Sequence, residues 1–253
     1  MGRTLYAVAN WKMNLRADQS AELAGQLADF SKSLNKAQVW IAPAAVNIPA
    51  VTYATESSGI KIGSQNVHWD KNGAYTGEIS VEMLRHLNCS FAIVGHSERR
   101  RLFLESNELT AKRAVGALQQ TFKVIFCVGE NLSQRKSGET LAVLQAQLDP
   151  LLEASREFDT SGLLIAYEPV WAIGTGKVAS IGEIEEAHAA IIDYWQNKAN
   201  ALPPPVLYGG SVKPDNVADI LSVAEVSGTL VGGASLNFDS FKDIILAHEK
   251  LSC

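Results

Sequence analysis

The stretch Leu163-Leu-Ile-Ala-Tyr-Glu168-Pro-Val-Trp-Ala-Ile-Gly174-Thr-Gly-Lys177 joins an apolar run to a carboxylate and then to a loop with proline and glycine. The run at 163–167 predicts a buried strand, and Pro169 ends its sheet pairing because proline lacks a backbone N–H. We expect residues Pro169 to Trp171 to form a stiff segment and Gly174 to Gly176 to form a flexible one. We therefore predict a fixed base, Glu168, beside a hinged flap, which suits proton transfer in a closable pocket. The alternative is a strand-to-helix loop with an incidental glutamate.

Short β-rich runs of this kind recur along the chain and alternate with segments of helical period. One such segment places Ile184, Ala187, Ile191 and Trp195 on one face of a helix. The strand-like runs are residues 4–10, 38–42, 60–65, 91–95, 123–128, 163–167, 206–208 and 229–231. Alternating strands and helices imply parallel pairing through right-handed crossovers. The pattern predicts an α/β protein, a closed eight-stranded parallel (β/α)8 barrel that forms one catalytic domain over residues 1–253. A doubly wound open sheet is the alternative.

Composition narrows the class of protein. The chain is 47% hydrophobic, and its 22 Lys and Arg against 27 Asp and Glu give a net charge of -5. This mildly acidic balance argues against nucleic acid or an anionic membrane as the main partner. There is no secretory h-region and no apolar run long enough to span a bilayer, so we expect a soluble cytoplasmic protein. Cys89, Cys127 and Cys253 are widely spaced without a CxxC pair, which indicates neither a disulfide framework nor a zinc site.

Polar residues and glycines follow the predicted strands. Parallel barrel strands all end at one rim, where the active sites of such barrels lie, so these residues should share one bowl. The strand-end residues are Asn10 and Lys12, Gln65 and Asn66, His96 and Glu98, Gly129 and Glu130, Glu168, Gly209 to Ser211, and Gly232 and Gly233. This distribution favours an enzyme over a scaffold.

Two glycine pairs on adjacent loops predict a phosphate site. Gly209-Gly210-Ser211 precedes a predicted helix that opens at Pro214, and Gly232-Gly233 follows the eighth strand. Glycine lets backbone N–H groups approach an anion closely, and a helix N-terminus adds partial positive charge. Loops seven and eight of barrels commonly bind phosphate, which also explains why no basic patch is needed. The alternative is that these glycines only turn tight corners.

Three side chains complete the predicted chemistry. Lys12 can neutralise a phosphate, and the spacing of Asn10 and Lys12 predicts that both lie on one strand face. His96 begins a predicted helix, whose positive end disfavours the imidazolium, so we expect a neutral hydrogen-bond donor. The alternatives are a solvated surface lysine and a structural histidine. No metal-ligand spacing is present, and residues 174–177 do not form a Walker A loop. We therefore predict metal-free, cofactor-free proton abstraction next to a carbonyl on a small phosphorylated substrate.

Seven motifs in order resemble those of the triosephosphate isomerase family over nearly the whole chain. They are residues 9–14, 73–78, 95–100, 127–130, 166–177, 208–211 and 230–236. The resemblance implies reversible interconversion of dihydroxyacetone phosphate and D-glyceraldehyde 3-phosphate, in glycolysis and gluconeogenesis. It also implies a homodimer, in which loop 73–78 enters the second subunit and Thr76 supports the partner's site.

The resemblance further assigns roles to single residues. It implies that Glu168 shuttles a proton between two substrate carbons, that His96 is the electrophile, and that Lys12 supplies positive charge beside Asn10. The implied phosphate-binding backbone groups are those of Gly174, Ser211, Gly232 and Gly233. Ile173 and Leu230 match an apolar pair over the base, and Glu98 matches a residue that orients the lysine. A neutral histidine and a closing lid are well-known properties of this family.

Two rival functions stay open at this point. Another phosphate-binding barrel enzyme, such as a sugar-phosphate isomerase or lyase, would share the glycine loops but should lack Lys12, His96 and Glu168 as a set. A non-catalytic phosphometabolite sensor or surface-adhesion scaffold would have no use for an intact base and lid. One departure from the family is Ser227-Gly228, where the family often has Asp-Gly.

Overall fold

Eight parallel strands close into a barrel in sequence order, and the last strand pairs with the first. The computed structural model describes residues 4–155, 159–173, 177–199 and 201–252. The strands are β1 Tyr6–Asn10, β2 Gln38–Ala42, β3 Lys61–Ser64, β4 Phe91–Val94, β5 Lys123–Val128, β6 Leu163–Tyr167, β7 Val206–Tyr208 and β8 Gly228–Val231. The predicted (β/α)8 barrel is confirmed, and the alternative of an open sheet was wrong.

Helices connect the strands around the outside of the barrel. They are α1 Ala17–Ser31, α2 Ile48–Thr55, α3 Val81–His86, α4 Ser97–Leu102, α5 Asn107–Gln119, α6 Leu132–Lys136, α7 Thr140–Ala154, α8 Ile181–Ala199, α9 Val217–Ser222 and α10 Phe238–Leu251. Several follow an N-cap residue whose side-chain oxygen accepts a hydrogen bond from a backbone N–H of the first helical turn. Ser80, Ser106 and Asn237 cap α3, α5 and α10 in this way. None of the described helices combines the length and apolar character needed to cross a bilayer.

Most strand residues are apolar because both faces of the strands are buried. In β1, Val8 belongs to the cluster that fills the barrel, whereas Ala7 and Ala9 belong to the layer between strands and helices. Inside the barrel, Trp40 packs on Phe91 with ring centroids 4.7 Å apart. Burial on both faces explains why the sequence shows continuous apolar runs rather than alternation of apolar and polar residues.

Several predicted boundaries differ from the structure. The runs at 4–10, 60–65 and 91–95 are longer than β1, β3 and β4, and β8 begins one residue before the predicted 229–231. A larger difference lies after β7, where α9 begins at Val217 and not at Pro214. The reason is local: Asn216 accepts the Lys213 N–H at 2.8 Å and donates to the Ser211 carbonyl at 3.0 Å. These bonds hold residues 213–216 as a turn.

A buried histidine makes the stability of the barrel depend on pH. Burial lowers the pKa of His248 to about 4, and its ring nitrogens face the carbonyl of Ile244 and the hydroxyl of Thr229. An unfolded histidine titrates near pH 6.5. As the pH falls from 6.5 towards 4, the unfolded chain therefore binds a proton at this residue while the folded chain does not. This contribution to stability is complete above pH 6.5 and is lost as the pH falls towards 4.

We expect the difference in His248 titration between the folded and unfolded chain to lower the free energy of unfolding by about 3 kcal/mol as the pH falls from 6.5 to 4. Urea unfolding at a series of pH values measures this slope. The variant His248→Gln should show a flatter slope than the wild type, whereas His86→Gln, at an exposed position, should keep it. An unchanged slope in His248→Gln would contradict the assignment.

Candidate active site

A cavity of about 370 Å³ opens where the strands end. Seven of the eight predicted site residues line it: Asn10, Lys12, His96, Glu168, Ser211, Gly232 and Gly233. Gly174, the eighth, lies outside the described residues. Ile173 and Leu230 also line the cavity. Residues far apart in sequence therefore face one space because the parallel strands that carry them end at the same rim.

The Glu168 carboxylate is buried and is held by two donors. Its Oε1 lies 2.9 Å from His96 Nε2, and its Oε2 accepts the backbone N–H of Ser97 at 2.8 Å. Burial raises the pKa of this carboxyl, but the charge and hydrogen bond of His96 and the Ser97 N–H outweigh it, so the pKa lies below its usual value. The carboxylate is thus ionised and able to accept a proton. Moving away from these donors would make it a stronger base.

The position of the proton on His96 follows from its neighbours. Nδ1 accepts the backbone N–H of Glu98 at 3.2 Å, so in the neutral ring the proton is on Nε2, which faces Glu168. Burial lowers the pKa of His96, but the Glu168 carboxylate raises it more, and the net direction is upward. This direction is opposite to the one that the helix end alone predicts, because the carboxylate 2.9 Å from Nε2 is not apparent from the sequence.

Lys12 reaches the cavity through an unusual backbone conformation. The strand ends at Asn10, and Lys12 has φ 50°, which is left-handed and rare outside glycine. Asn10 Oδ1 accepts the Lys12 N–H at 3.1 Å, and Gln65 donates to the Lys12 carbonyl at 2.8 Å. The ammonium then forms an ion pair with Glu98 at 2.7 Å. Lys12 lies beyond the end of β1, so the prediction that Asn10 and Lys12 share a strand face was wrong. Both residues nevertheless line the cavity, because the turn at Lys12 brings its side chain there.

The two glycine pairs have different structural reasons. A Cβ at Gly209 would lie 2.9 Å from Glu168 Cγ, and one at Gly210 would lie 2.2 Å from the Tyr208 hydroxyl. The absence of side chains at Gly209 and Gly210 therefore leaves space for the Glu168 side chain and for the Tyr208 hydroxyl. A Cβ at Gly232 would approach the Lys12 side chain at 3.3 Å, whereas Gly233 faces open space. Backbone at Gly232 and Gly233 is accessible to a ligand in the cavity.

A second buried carboxylate supports the segment that follows Glu168. Glu130 accepts the Tyr167 hydroxyl at 3.1 Å and the Trp171 indole N–H at 2.9 Å, and its carbonyl accepts the Val170 N–H. Burial raises the pKa of Glu130 above its usual value. The short 3-10 turn Val170–Ala172 is thereby tied to the end of β5. This agrees with the stiff segment expected after Pro169.

Some residues near the site were not foreseen. The Ser97 N–H holds the base, Gln65 fixes the Lys12 backbone, and Lys213 and Ala234 line the cavity. Only Gln65 carried a signal in the sequence, because it follows a strand. The others act through backbone atoms or lie in loops whose paths no periodicity describes.

The two described cysteines, Cys89 and Cys127, are not suited to nucleophilic chemistry. Burial raises the pKa of Cys89 to about 12 and that of Cys127 well above its usual value, so both are poor nucleophiles. Cys253 lies outside the described residues. Within those ranges, His, Cys, Asp and Glu side chains form no cluster of three or more that could hold a metal ion.

A closed parallel barrel with a buried carboxylate, an imidazole and an ammonium around one cavity at its rim is an enzyme with an acid–base site. The sequence profile of the triosephosphate isomerase family matches residues 5–248. The chain belongs to the triosephosphate isomerase family.

Individual relatives agree over almost their full length. The triosephosphate isomerase of Methylococcus capsulatus is 44% identical over 242 residues, which cover 94% of this chain and 95% of the relative. Those of Rhodopirellula baltica and Aquifex aeolicus are 40% and 39% identical. Their matches cover 98% and 94% of this chain, and 98% and 96% of the relatives.

Proposed function

We propose that the protein interconverts dihydroxyacetone phosphate and D-glyceraldehyde 3-phosphate, as a cytoplasmic enzyme of glycolysis and gluconeogenesis. Membership of the family supports this reaction. The observation that carries it is the meeting of Lys12, His96 and Glu168 in one cavity. Neither rival explains why all three occur together at the ends of different strands.

The reaction needs only a proton carrier and a polarising donor. A ketose and an aldose of the same formula are at the same overall oxidation level, so no external oxidant or reductant is required. Glu168 takes a proton from the carbon next to the carbonyl, which leaves an enediol or enediolate, and delivers a proton to the neighbouring carbon. The hydroxyl proton moves from one substrate oxygen to the other, and His96 Nε2 is the proposed group that passes it between them. Each half-step at carbon uses the same carboxylate, so one base is sufficient for the carbon-bound proton.

His96 and Lys12 stabilise the charge that develops on oxygen. The Nε2 proton of His96 already points at an anion, the Glu168 carboxylate, at 2.9 Å. We propose that a substrate oxygen replaces this carboxylate as acceptor when Glu168 turns to the substrate carbon. The Lys12 ammonium, held by Glu98, adds positive charge next to the same cavity.

Binding of the phosphate group is assigned to loops seven and eight. Ser211, Gly232 and Gly233 line the cavity, and their backbone N–H groups are the proposed donors, together with that of Gly174. Asn10 lies beside Lys12 at the end of β1, which pairs with β8. The apolar side chains of Ile173 and Leu230 line the same space, where they would keep water from the base.

An isomerase assay coupled to an enzyme that consumes the product tests this proposal on purified protein. Turnover of either triose phosphate without added metal or cofactor is the expected result. A sugar-phosphate enzyme of another kind would bind the phosphate compound without isomerising it. A sensor or scaffold would show no turnover at any substrate concentration, and either result would reject the proposal.

We also propose that two copies form a homodimer through loop 73–78. The loop is exposed, and at its base Glu78 forms a 2.6 Å ion pair with the buried Arg113. A neighbouring cavity, of about 430 Å³, also has Lys12 and His96 in its wall, together with Met13 and Phe103. These two side chains are 95% and 65% exposed, which is unusual for large apolar groups beside a site. An arm from a second copy would cover them.

A charge placed in this arm should separate the subunits. In Thr76→Glu, an unpaired carboxylate would have to be buried in the partner, so we expect dimerisation to weaken at least about a hundredfold. Analytical ultracentrifugation across a dilution series measures the change, and Lys71→Glu, just outside the loop, is the matched control. A wild-type protein that is monomeric and fully active at high dilution would defeat the dimer proposal.

A further inference from the structure

A second cavity, of about 310 Å³, also has the base Glu168 in its wall. Glu168 lines both cavities, and no other described residue does. The second cavity lies among the ends of β4, β5 and β6, and Val128 and Val170 give it an apolar wall. Its size falls within the range of small-molecule sites. Nothing in the proposed isomerisation uses it.

The charge of this cavity is unbalanced. Arg100 and Arg101 both line it, and Glu168 is the acidic residue among its described lining. Neither arginine forms an ion pair with any described residue. Both Glu168 oxygens are already engaged by His96 and Ser97. The cavity therefore has a net positive wall that the protein itself does not neutralise.

Arg100 has more N–H donors than its hydrogen bonds to described residues use. Its three nitrogens donate to neutral acceptors, namely the carbonyls of Gly95 and Cys127 and the side-chain oxygen of Asn107. A guanidinium carries five N–H donors, so two remain for a ligand. Gly95 makes this placement possible: its φ is +72°, and a Cβ there would lie 2.9 Å from Arg100 Nη2. The guanidinium is thus fixed by the backbone at the edge of an open space.

We propose that this cavity binds a small organic carboxylate with a short apolar body, through Arg100 and Arg101. Guanidinium groups match carboxylates in shape and form strong charge-assisted hydrogen bonds with them. The valine side chains suit the apolar part of such a ligand. Bound there, the ligand places a negative charge beside the Glu168 carboxylate, so the site is positioned to influence the base without occupying the substrate cavity.

The probe 4-fluorobenzoate, followed by ¹⁹F NMR on the purified protein, tests the proposal. Saturable binding with a dissociation constant of about millimolar is expected. The binding should persist when the substrate cavity is saturated with 2-phosphoglycolate, a phosphorylated carboxylate, because Glu168 is the one described residue that the two cavities share. The uncharged 4-fluorobenzamide should bind at least about tenfold more weakly, since it lacks the charge that the arginines recognise.

Two variants locate the probe. Arg101→Gln alters an exposed side chain and should fold normally, and we expect it to weaken 4-fluorobenzoate binding about three- to tenfold. Lys213→Gln lines only the substrate cavity and should leave the affinity unchanged. Displacement of the probe by 2-phosphoglycolate, equal affinity for the benzamide, or wild-type affinity in Arg101→Gln would each overturn the proposal. None of these readouts depends on isomerase activity.

Discussion

Replacing Glu168 with glutamine is expected to lower kcat by at least about 10²- to 10⁴-fold, the contribution of a positioned general base. The amide has nearly the size of the carboxylate but cannot accept a proton from carbon. Its oxygen can still accept the Ser97 N–H, so the fold around it should survive. The loss should therefore fall on kcat, with a smaller change in KM, because phosphate binding depends on other loops.

The steady-state coupled assay measures this loss. The matched control is Glu22→Gln on α1, an exposed position where the same chemical change should leave kcat within error of the wild type. Thermal unfolding of both variants would verify that they are folded. Near-normal turnover in Glu168→Gln would remove this residue from the mechanism and with it the proposed proton path.

Replacing Lys12 with methionine is the second change with a large expected effect. Methionine keeps the length of the side chain but removes the ammonium that pairs with Glu98 at 2.7 Å and lines the substrate cavity. Charge-assisted hydrogen bonds contribute about 1.5–3 kcal/mol, so affinity for a phosphorylated inhibitor should fall about ten- to a hundredfold. The unpaired Glu98 carboxylate would add repulsion against an anionic ligand.

Isothermal titration calorimetry with 2-phosphoglycolate measures the affinity directly. Lys32→Met is the matched control, since Lys32 also pairs with a carboxylate but is exposed on the outside of the barrel. The control should bind as the wild type does. Unchanged affinity in Lys12→Met would show that the ammonium does not act on the ligand.

The sequence was sufficient for the fold because the barrel is built from a repeated local pattern. Runs such as 123–128 and 163–167 coincide with β5 and β6, and the stripe of Ile184, Ala187, Ile191 and Trp195 is buried as expected. Once the strands are parallel, the rule that their carboxyl ends share a rim brings the strand-end residues together. The gathering of the candidate site is therefore a consequence of topology and does not require knowledge of side-chain contacts.

Features that depend on contacts between remote segments could not be predicted from the sequence pattern. The left-handed turn at Lys12 relies on Gln65, which follows β3, and the hydrogen bond from Ser97 to Glu168 links residues 71 positions apart. The upward pKa direction of His96 has the same origin, since its cause is the carboxylate across the cavity. Sequence periodicity reports which face is buried, but it does not report what a side chain meets there.

Glu168 is proposed to carry a proton between neighbouring carbons of a triose phosphate held in the cavity with Lys12 and His96. Isomerisation of D-glyceraldehyde 3-phosphate in D₂O, followed by ¹H NMR, tests it most directly. A carboxylate that exchanges its proton with solvent should deliver deuterium to the carbon next to the carbonyl in a measurable fraction of the product. No product at all, or wild-type rates of isomerisation and deuterium incorporation in Glu168→Gln, would contradict the proposed role of Glu168.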